Sequence, residues 1–307
     1  MRWPHQPVLY QEILEALAPR SGGRYVDGTV GLGGHAHGIL EASAPEGQLL
    51  GLDVDAEALA LAAERLAPFG ERVILRQASY ATLQVQLQAV GWEAVDGIVL
   101  DLGLSSLQLD RPERGFSFRH EAPLDMRFDI TQPLTAADLV NTLDEAALAD
   151  ILWRYGEERR ARRVAGAIVR HRPITTTRQL AEVVASATSS GRRGMHPATR
   201  TFQALRIAVN RELENLERVL PQAVEALKPG GRLAIIAFHS LEDRIVKHFM
   251  RQESGHCVCP PEMPLCECDR TARLRLLRPF PMRPSAAEIA QNPRARSARL
   301  RVAEKLA

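Results

Sequence analysis

The sequence of 307 residues has few aromatic residues, no long apolar run and no dispersed cysteines. Phe, Trp and Tyr make up 5% of the chain, so a core must be built mostly from Leu, Ala and Val. No stretch of about 18 apolar residues occurs, which excludes a transmembrane helix, and residues 1–7 lack the apolar segment of a signal peptide. The four cysteines are confined to residues 257–268, which argues against a disulfide framework. We therefore expect a cytoplasmic protein without a membrane partner.

Lysine is missing from the middle of the chain, where positive charge is nevertheless concentrated. Residues 154–211 contain 13 Arg, no Lys and 3 Glu, a net charge of +10, and residues 270–305 contain 9 Arg and 1 Lys against 2 Glu, a net charge of +8. The whole chain carries only +2, because the acidic residues lie mostly in its first half. Such an uneven distribution, dominated by the phosphate-binding guanidinium group, favours a nucleic-acid partner over a set of merely solvated helix faces.

Short apolar runs alternate with helical periodicities over residues 24–101, which predicts βαβ units and a parallel sheet. We expect strands at Arg24–Asp27, Gln48–Asp53, Arg72–Gln77 and Ala94–Asp101, and helices at 34–42, 56–68 and 80–90.

The alternation stops after residue 101. Residues 102–133 have the composition of a loop, residues 135–190 contain only helical signals, and a long helix follows at about 199–227. A strand at 232–238 and a helix at 241–251 then resume the α/β pattern, and two further strands follow at 273–278 and 297–302. The helices are expected at 135–141, 144–153, 157–171, 177–187 with Thr177 as its N-cap, and 199–227 as one long helix.

A glycine-rich turn, residues 27–35 (DGTVGLGGH), joins the first strand to its helix. Asp53 ends the next strand 20 residues after Gly33, where an acid can bind both hydroxyls of a ribose. The glycines lack the G-x-G-x-x-G spacing of dinucleotide sites, and no Lys follows them as in a Walker loop. The turn therefore indicates an adenosine cofactor without pyrophosphate, such as S-adenosylmethionine (AdoMet), although glycine turns also serve packing alone. An acidic strand end such as Asp27 suits the charged amino group of AdoMet.

The order of the last elements separates two classes of α/β fold. A late pair of strands after the strand at 232–238 fits a sheet closed by an antiparallel hairpin, which class I AdoMet-dependent methyltransferases have and classical dehydrogenases lack. The predicted fold is thus a Rossmann-like, mostly parallel seven-stranded sheet with a late antiparallel strand and an inserted all-helical domain. We expect residues 1–110 and 205–307 to form the core and residues 111–204 the inserted substrate-recognition domain with its loop.

Further residues are expected at the mouth of the same crevice, because ligands of open α/β sheets lie outside the carboxyl ends of the strands. Asp101 ends the fourth strand and should face Gly33 and Asp53. Tyr80 follows the third strand and could lie against an adenine or pack in the core. His239 could be a catalytic group or a helix cap. Residues 111–129 form a long loop of the kind that often acts as a functional lid.

Eight segments stand in order along nearly the whole chain: HQPVL at 5–9, DGTVGLGGH at 27–35, DLGLSS at 101–106, RGFSF at 114–118, LDMRFD at 124–129, TFQALRI at 201–207, FHSLED at 238–243 and NPRARS at 292–297. Together they resemble the corresponding segments of the MraW (RsmH) family. That resemblance implies a bacterial methyltransferase that modifies N4 of a cytosine in the decoding region of 16S rRNA, on a class I fold with an inserted helical domain.

The resemblance also assigns roles to residues. Tyr80 stands where the family often has Phe, and Phe128 stands where Met is frequent, so both positions keep an aromatic or apolar side chain. The residues implied to contact AdoMet are Gly33, Gly34, His35, Asp53, Tyr80, Asp101 and Gln108.

The acceptor of the cytosine amine proton is left open by the sequence. A methyl transfer mainly requires the nucleophile and the methyl group to be held in line, and the weakly nucleophilic amine needs an acceptor for its proton. The candidates are Ser105, Asp125, Asp129 and His239. The arginine-rich segments are expected to contact the RNA backbone. The target base must leave its stack to enter the crevice. A methyltransferase on another nucleic acid, and a ribosome-assembly factor that only binds the cofactor, are the alternatives.

The cysteines form a CxC-x6-CxC pattern. Four thiolates within 12 residues could bind a structural zinc ion, although free thiols or a local disulfide would give the same sequence. The candidate ligands are Cys257, Cys259, Cys266 and Cys268.

Overall fold

A computed structural model describes residues 7–188, 196–256 and 271–307. The cysteine cluster and its possible zinc site lie outside these ranges. The described residues form two compact units, one of Met1–Gly103 with Glu214–Ala307 and one of Leu104–Leu213. The boundaries thus fall after residues 103 and 213, whereas the sequence pattern predicts them after residues 110 and 204.

The first unit contains a seven-stranded sheet in the order β3-β2-β1-β4-β5-β7-β6. Strands β1 to β5 pair in parallel, and β7 is antiparallel to both β5 and β6. The predicted class I methyltransferase sheet with a late antiparallel strand is therefore confirmed. The strands are β1 (Arg24–Asp27), β2 (Gln48–Asp53), β3 (Val73–Gln77), β4 (Val95–Asp101), β5 (Leu227–Ala237), β6 (Leu274–Leu276) and β7 (Arg299–Lys305).

Apolar clusters cover the two faces of this sheet. Successive residues of a strand point to opposite faces, and in β4 Ile98 and Leu100 belong to one cluster while Val99 belongs to the other. Because β4 has helices on both sides, its central residues 97–100 are apolar, as in other central parallel strands. The helices of this unit are α1 (Tyr10–Leu17), α2 (Gly34–Ala42), α3 (Ala56–Leu66), α4 (Leu83–Ala89), α11 (Glu212–Ala226, in this unit from Glu214 onward), α12 (Ser240–Glu253) and α13 (Ala286–Gln291).

The second unit is helical and has a core of its own. Helix α7 packs on both α8 and α10, and Leu148, Leu152, Val164 and Leu205 lie in the fully buried centre. Burial of such side chains stabilises a helix more than its intrinsic propensity does. The helices are α5 (Ser106–Asp110), α6 (Ala136–Thr142), α7 (Glu145–Gly156), α8 (Ala161–Arg170), α9 (Thr177–Ala187) and α10 (Thr199–Asn210).

Some predicted helix ends are wrong. The expected single helix at 199–227 is two helices, because Arg211 adopts a left-handed conformation with φ 51°. Helix α8 starts at Ala161 rather than 157, since Glu157 is left-handed and ends α7. Thr176, not Thr177, caps α9: its side chain accepts a hydrogen bond from the Gln179 N–H.

Two further segments differ from the prediction. The presumed loop 102–133 contains α5 and a 3₁₀ turn at Pro112–Arg114. Strand β5 begins at Leu227, ahead of the expected residue 232, because Leu227 already pairs with Val95 before a bulge. Within the described ranges, no helix is long and apolar enough to cross a membrane.

Candidate cofactor site

Three carboxylates stand at the ends of three neighbouring strands. Asp27 ends β1, Asp53 ends β2 and Asp101 ends β4, and the sheet places β1 between the other two. Because all three strands run in parallel, their carboxyl ends share one edge of the sheet. The structure therefore brings Asp53 and Asp101 to one edge of the sheet, together with Asp27.

The glycine-rich turn folds over this edge. Gly33 precedes α2 with φ 75°, in the left-handed region that glycine adopts most easily. Gly34 begins α2, and a Cβ atom added there would lie 2.3 Å from Cγ of Pro7. Any side chain at Gly34 would thus push away the segment before α1. The turn needs glycine for its backbone shape at one position and for space at the next.

Asp53 fastens the turn as well as ending a strand. Its Oδ2 accepts a hydrogen bond from the Gly31 N–H at 2.8 Å, and its Oδ1 accepts one from the Asp55 N–H at 2.9 Å. Burial raises the pKa of Asp53, although these N–H groups act in the opposite direction. Each oxygen keeps a further lone pair, so the carboxylate can accept from two vicinal hydroxyls, as the ribose role requires.

Asp27 is a buried acid of the site with a strongly raised pKa. Burial raises its pKa from 3.8 to about 7, and the nearby Asp101 and Asp53 add to the rise. His35 and the N–H of Thr29, which lies 3.2 Å from Oδ1, act against it. The side chain is only 2% exposed. A cation bound beside Asp27 would favour its ionised form and lower its pKa.

The side chains of His35 and Asp101 have buried polar atoms without hydrogen-bond partners among the described residues. Nε2 of His35 lies 3.6 Å from Oδ2 of Asp101, beyond hydrogen-bond distance. Both ring nitrogens of His35 and Oδ1 of Asp101 are buried and have no hydrogen-bond partner in the described residues. Because buried polar groups are rarely left unsatisfied, this gap in the bonding pattern marks a ligand position. The carboxyl groups at this edge are hydrogen-bond acceptors that carry negative charge when ionised, which suits a positively charged ligand that also carries hydroxyl groups. The site therefore fits AdoMet.

Two further residues hold this pair in place and were missed from the sequence. The Thr29 Oγ1 atom accepts a hydrogen bond of 2.6 Å from the Asp101 N–H, which ties the end of β4 to the turn. The Tyr10 ring stacks on His35 with centroids 6.3 Å apart. No sequence signal marked Tyr10, because the contact depends on how α1 crosses α2.

Tyr80 lies beside the glycine turn. A Cβ atom added at Gly28 would come within 3.2 Å of Cβ of Tyr80, and the half-buried Tyr80 ring packs against the core on one face of the sheet. This position agrees with the predicted adenine contact and also with core packing, so the adenine role stays a prediction.

Four of the remaining candidates belong to the second unit. Ser105 and Gln108 form the capping box of α5, in which the Ser105 Oγ accepts from the Gln108 N–H and the Gln108 Oε1 accepts from the Ser105 N–H. Asp125 makes a bidentate ion pair with Arg127, at 2.9 and 2.7 Å. Burial alone would raise the pKa of Asp125, but hydrogen bonds from Arg127 outweigh it and the pKa falls below its usual value.

Asp129 and His239 complete the set. Oδ1 of Asp129 accepts hydrogen bonds from the N–H and the hydroxyl of Thr131. His239, in the first unit, caps α12: its Nδ1 accepts from the Glu242 N–H at 3.4 Å, and the Glu242 carboxylate accepts from the His239 N–H. The capping interpretation of His239 is thus observed, and no catalytic contact is tested for it, Ser105, Asp125 or Asp129.

Comparisons with known proteins show the family of the chain. The family model of the MraW methylase family matches residues 2–306. A protein of Geotalea uraniireducens named ribosomal RNA small subunit methyltransferase H is 54% identical over 307 residues, covering 98% of each chain. A protein of the same name from Thermomicrobium roseum is 55% identical over 306 residues, covering 99% of this chain and 94% of its own.

Solved structures with lower similarity were also found. An rRNA methylase from Streptococcus thermophilus is 12% identical, with a TM-score of 0.44, over 97% of this chain and 94% of its own. A SAM-dependent O-methyltransferase from Thermotoga maritima is 13% identical, with a TM-score of 0.44, over 99% of this chain and 68% of its own.

Proposed function

The chain belongs to the MraW methylase family and is an AdoMet-dependent rRNA methyltransferase, and from that premise we propose that it methylates N4 of a cytosine in the decoding region of 16S rRNA. We further propose that the RNA is presented within the small ribosomal subunit. The observation that best supports the cofactor site is that buried polar atoms of His35 and Asp101 lack hydrogen-bond partners in the described residues. Asp101 lies at the same edge of the sheet as Asp27 and Asp53.

AdoMet, when bound, supplies a methyl group on a positively charged sulfonium. The residues of this chain bind and orient it. Asp53 would accept hydrogen bonds from the ribose hydroxyls, and Asp27 and Asp101 would place negative charge beside the positive groups of the cofactor. Gly33 and Gly34 give the turn the backbone shape and the packing that it needs to lie over the carboxyl ends of the strands. Tyr80 would lie against the adenine.

The amine of cytosine is a poor nucleophile, because its lone pair is delocalised into the ring. A hydrogen-bond acceptor on an amine proton localises that lone pair and receives the proton. Among the carboxylates of the loop 124–129, Asp125 has both oxygens bound by Arg127 and a lowered pKa, which make it a weak acceptor. Asp129 uses only Oδ1 for the hydrogen bonds described above, so we favour Asp129 for this role.

The second unit supplies the positive charge for the RNA. Residues 154–211 carry a net charge of +10 and contain no Lys. Because arginine binds phosphate in a bidentate manner, this segment can hold the backbone on either side of a base that has left its stack. We assign the second unit to substrate recognition.

Transfer of labelled methyl groups from AdoMet to isolated small subunits tests the function. We expect N4-methylcytidine in the digested 16S rRNA, at a single position, and none with Asp53→Ala. Methylation of naked DNA but not of small subunits would contradict the proposal. AdoMet binding without transfer to any RNA would instead support an assembly factor that retains the cofactor site.

A further inference from the structure

Trp153 exposes a large aromatic surface on the second unit. Its side chain is 59% exposed, and it lies on α7 one turn before the helix ends at Gly156. It is the largest of the exposed apolar side chains among the described residues. An aromatic ring of this size would stabilise the fold if it were buried, and its exposed surface is instead available to a ligand.

Arginines without ionic partners follow Trp153 closely in the chain. Arg159, Arg162 and Arg163 are exposed, and none of them has a carboxylate within salt-bridge distance in the described ranges. Arg154 differs, because its Nη1 lies 3.3 Å from Oδ2 of Asp150. Three charges that no acid in the described ranges neutralises are therefore available to an anion.

The stability of α8 does not account for these arginines. Arg162 and Arg163 lie in its first turn, which contains no acidic residue. The positive end of the helix dipole disfavours cations there by up to about 1 kcal/mol each. An arginine that lowers the stability of its own helix is typical of a residue that serves binding.

Trp153 and the arginines share one end of a helix pair. Helix α7 ends at Gly156, α8 begins at Ala161, and the two helices pack against each other. With a rise of about 1.5 Å per residue, Trp153 and Arg163 each lie within roughly one turn of the connection between the helices. An aromatic ring and several cations thus lie at the same end of the helix pair.

We infer that Trp153 is a stacking platform for an unpaired base of RNA, and that Arg159, Arg162 and Arg163 contact the phosphates beside that base. The inference rests on the proposed function for the identity of the polymer, and it adds a contact that is independent of the methylated cytosine. A ring that accepts any base together with cations along the backbone is the usual design of sites for single-stranded nucleic acid. An apolar protein partner fits less well, because the exposed residue one turn before Trp153 on α7, Asp150, is charged and pairs with Arg154.

The test measures binding of the full chain to a single-stranded oligoribonucleotide without self-complementarity, at several salt concentrations. We expect Trp153→Ala to weaken binding about tenfold or more, because stacking of one base contributes that much, and Trp153→Phe to retain most of the affinity. The salt dependence of Trp153→Ala should equal that of the unmodified chain. Val85→Ala, which also shortens an exposed apolar side chain, is the matched control and should bind normally.

The combined variant Arg159→Gln, Arg162→Gln, Arg163→Gln should behave differently. Its slope of log affinity against log salt should be shallower by about 2, since each phosphate contact on a single strand contributes about 0.7. Equal binding of Trp153→Ala and the unmodified chain would overturn the inference, as would an equal loss with Trp153→Phe. If the unmodified chain bound this RNA through Trp153 but transferred no methyl group to small subunits, the proposed function would fail and the platform would stand.

Discussion

Replacement of Asp27 by Asn should stabilise the protein, and more so at high pH. The pKa of Asp27 is raised from 3.8 to about 7, and one pKa unit corresponds to about 1.4 kcal/mol. In the unfolded chain Asp27 ionises near its usual pKa, whereas in the folded protein it keeps its proton up to about pH 7. The folded protein therefore binds more protons between these values, and its stability falls as pH rises through that window.

Asparagine cannot ionise and still offers an oxygen to the Thr29 N–H. The free energy of unfolding of Asp27→Asn should exceed that of the unmodified chain by about 2 kcal/mol at pH 5.5 and by about 4 kcal/mol at pH 8, with no further change above that. The magnitude follows from the burial of the carboxylate and from the neighbouring Asp53 and Asp101, with His35 as the opposing charge.

Urea denaturation followed by circular dichroism at both pH values, without AdoMet, measures the difference. Asp96→Asn is the control, and it should change the free energy of unfolding in the opposite direction. Burial alone would raise the pKa of Asp96, but hydrogen bonds from Lys228, the Arg24 N–H and Arg20 lower it, so this variant should lose stability. If Asp27→Asn changed stability equally at both pH values, the conclusion that the buried Asp27 keeps its proton up to about pH 7 would be refuted.

Two further predictions concern other carboxylates of the first unit. Asp53→Ala should abolish AdoMet binding in calorimetry while the circular dichroism spectrum stays unchanged, and unaltered affinity would contradict the ribose role. Asp243→Asn should lower the free energy of unfolding by about 3–5 kcal/mol, because the buried Arg301, bound to Oδ1 at 2.7 Å, loses its counter-charge. Arg299→Gln, which removes the more exposed partner, should cost less than about 1 kcal/mol in the same urea titration, and equal losses for the two variants would argue against a buried ion pair.

The strands were predictable because their signal is local. Central parallel strands are short, apolar and punctuated by acids or glycine, and each predicted strand from β1 to β4 lies within a residue of the observed one. The edge strand β6 is shorter than predicted, since only Leu274–Leu276 pairs with β7. Periodicity shows that a segment is apolar enough for a strand, but it does not show where a neighbour stops pairing.

The break at Arg211 was not predictable from local sequence. The stretch from 199 to 227 has no glycine or early proline to end a helix. Asn210, the last residue of α10, donates from its amide to the Met126 carbonyl and accepts from the Phe128 N–H. These contacts to a loop more than 80 residues earlier fix the helix end, so tertiary structure overrides an otherwise continuous helical pattern.

The candidate site likewise has features that the sequence predicts and features that it does not predict. The glycine turn and the acids at the strand ends follow from motif spacing and from the rule for open sheets. The missing hydrogen-bond partners of His35, the raised pKa of Asp27 and the ring of Tyr10 depend on burial and on packing between distant helices. A sequence can show which groups reach the crevice, but their protonation depends on how much water the fold leaves around them.

The sheet order has a consequence for how the chain folds. Pairing of β1 with β2 closes a short loop, whereas β4 meets β5 through Val95 and Leu227, roughly 130 residues apart, at a higher entropic cost of closure. The strands that carry Asp27, Asp53 and Asp101 all lie in the first 103 residues. During synthesis, N-terminal segments can fold before later ones emerge, so the cofactor-binding edge of the sheet can assemble while the arginine-rich unit is still being translated.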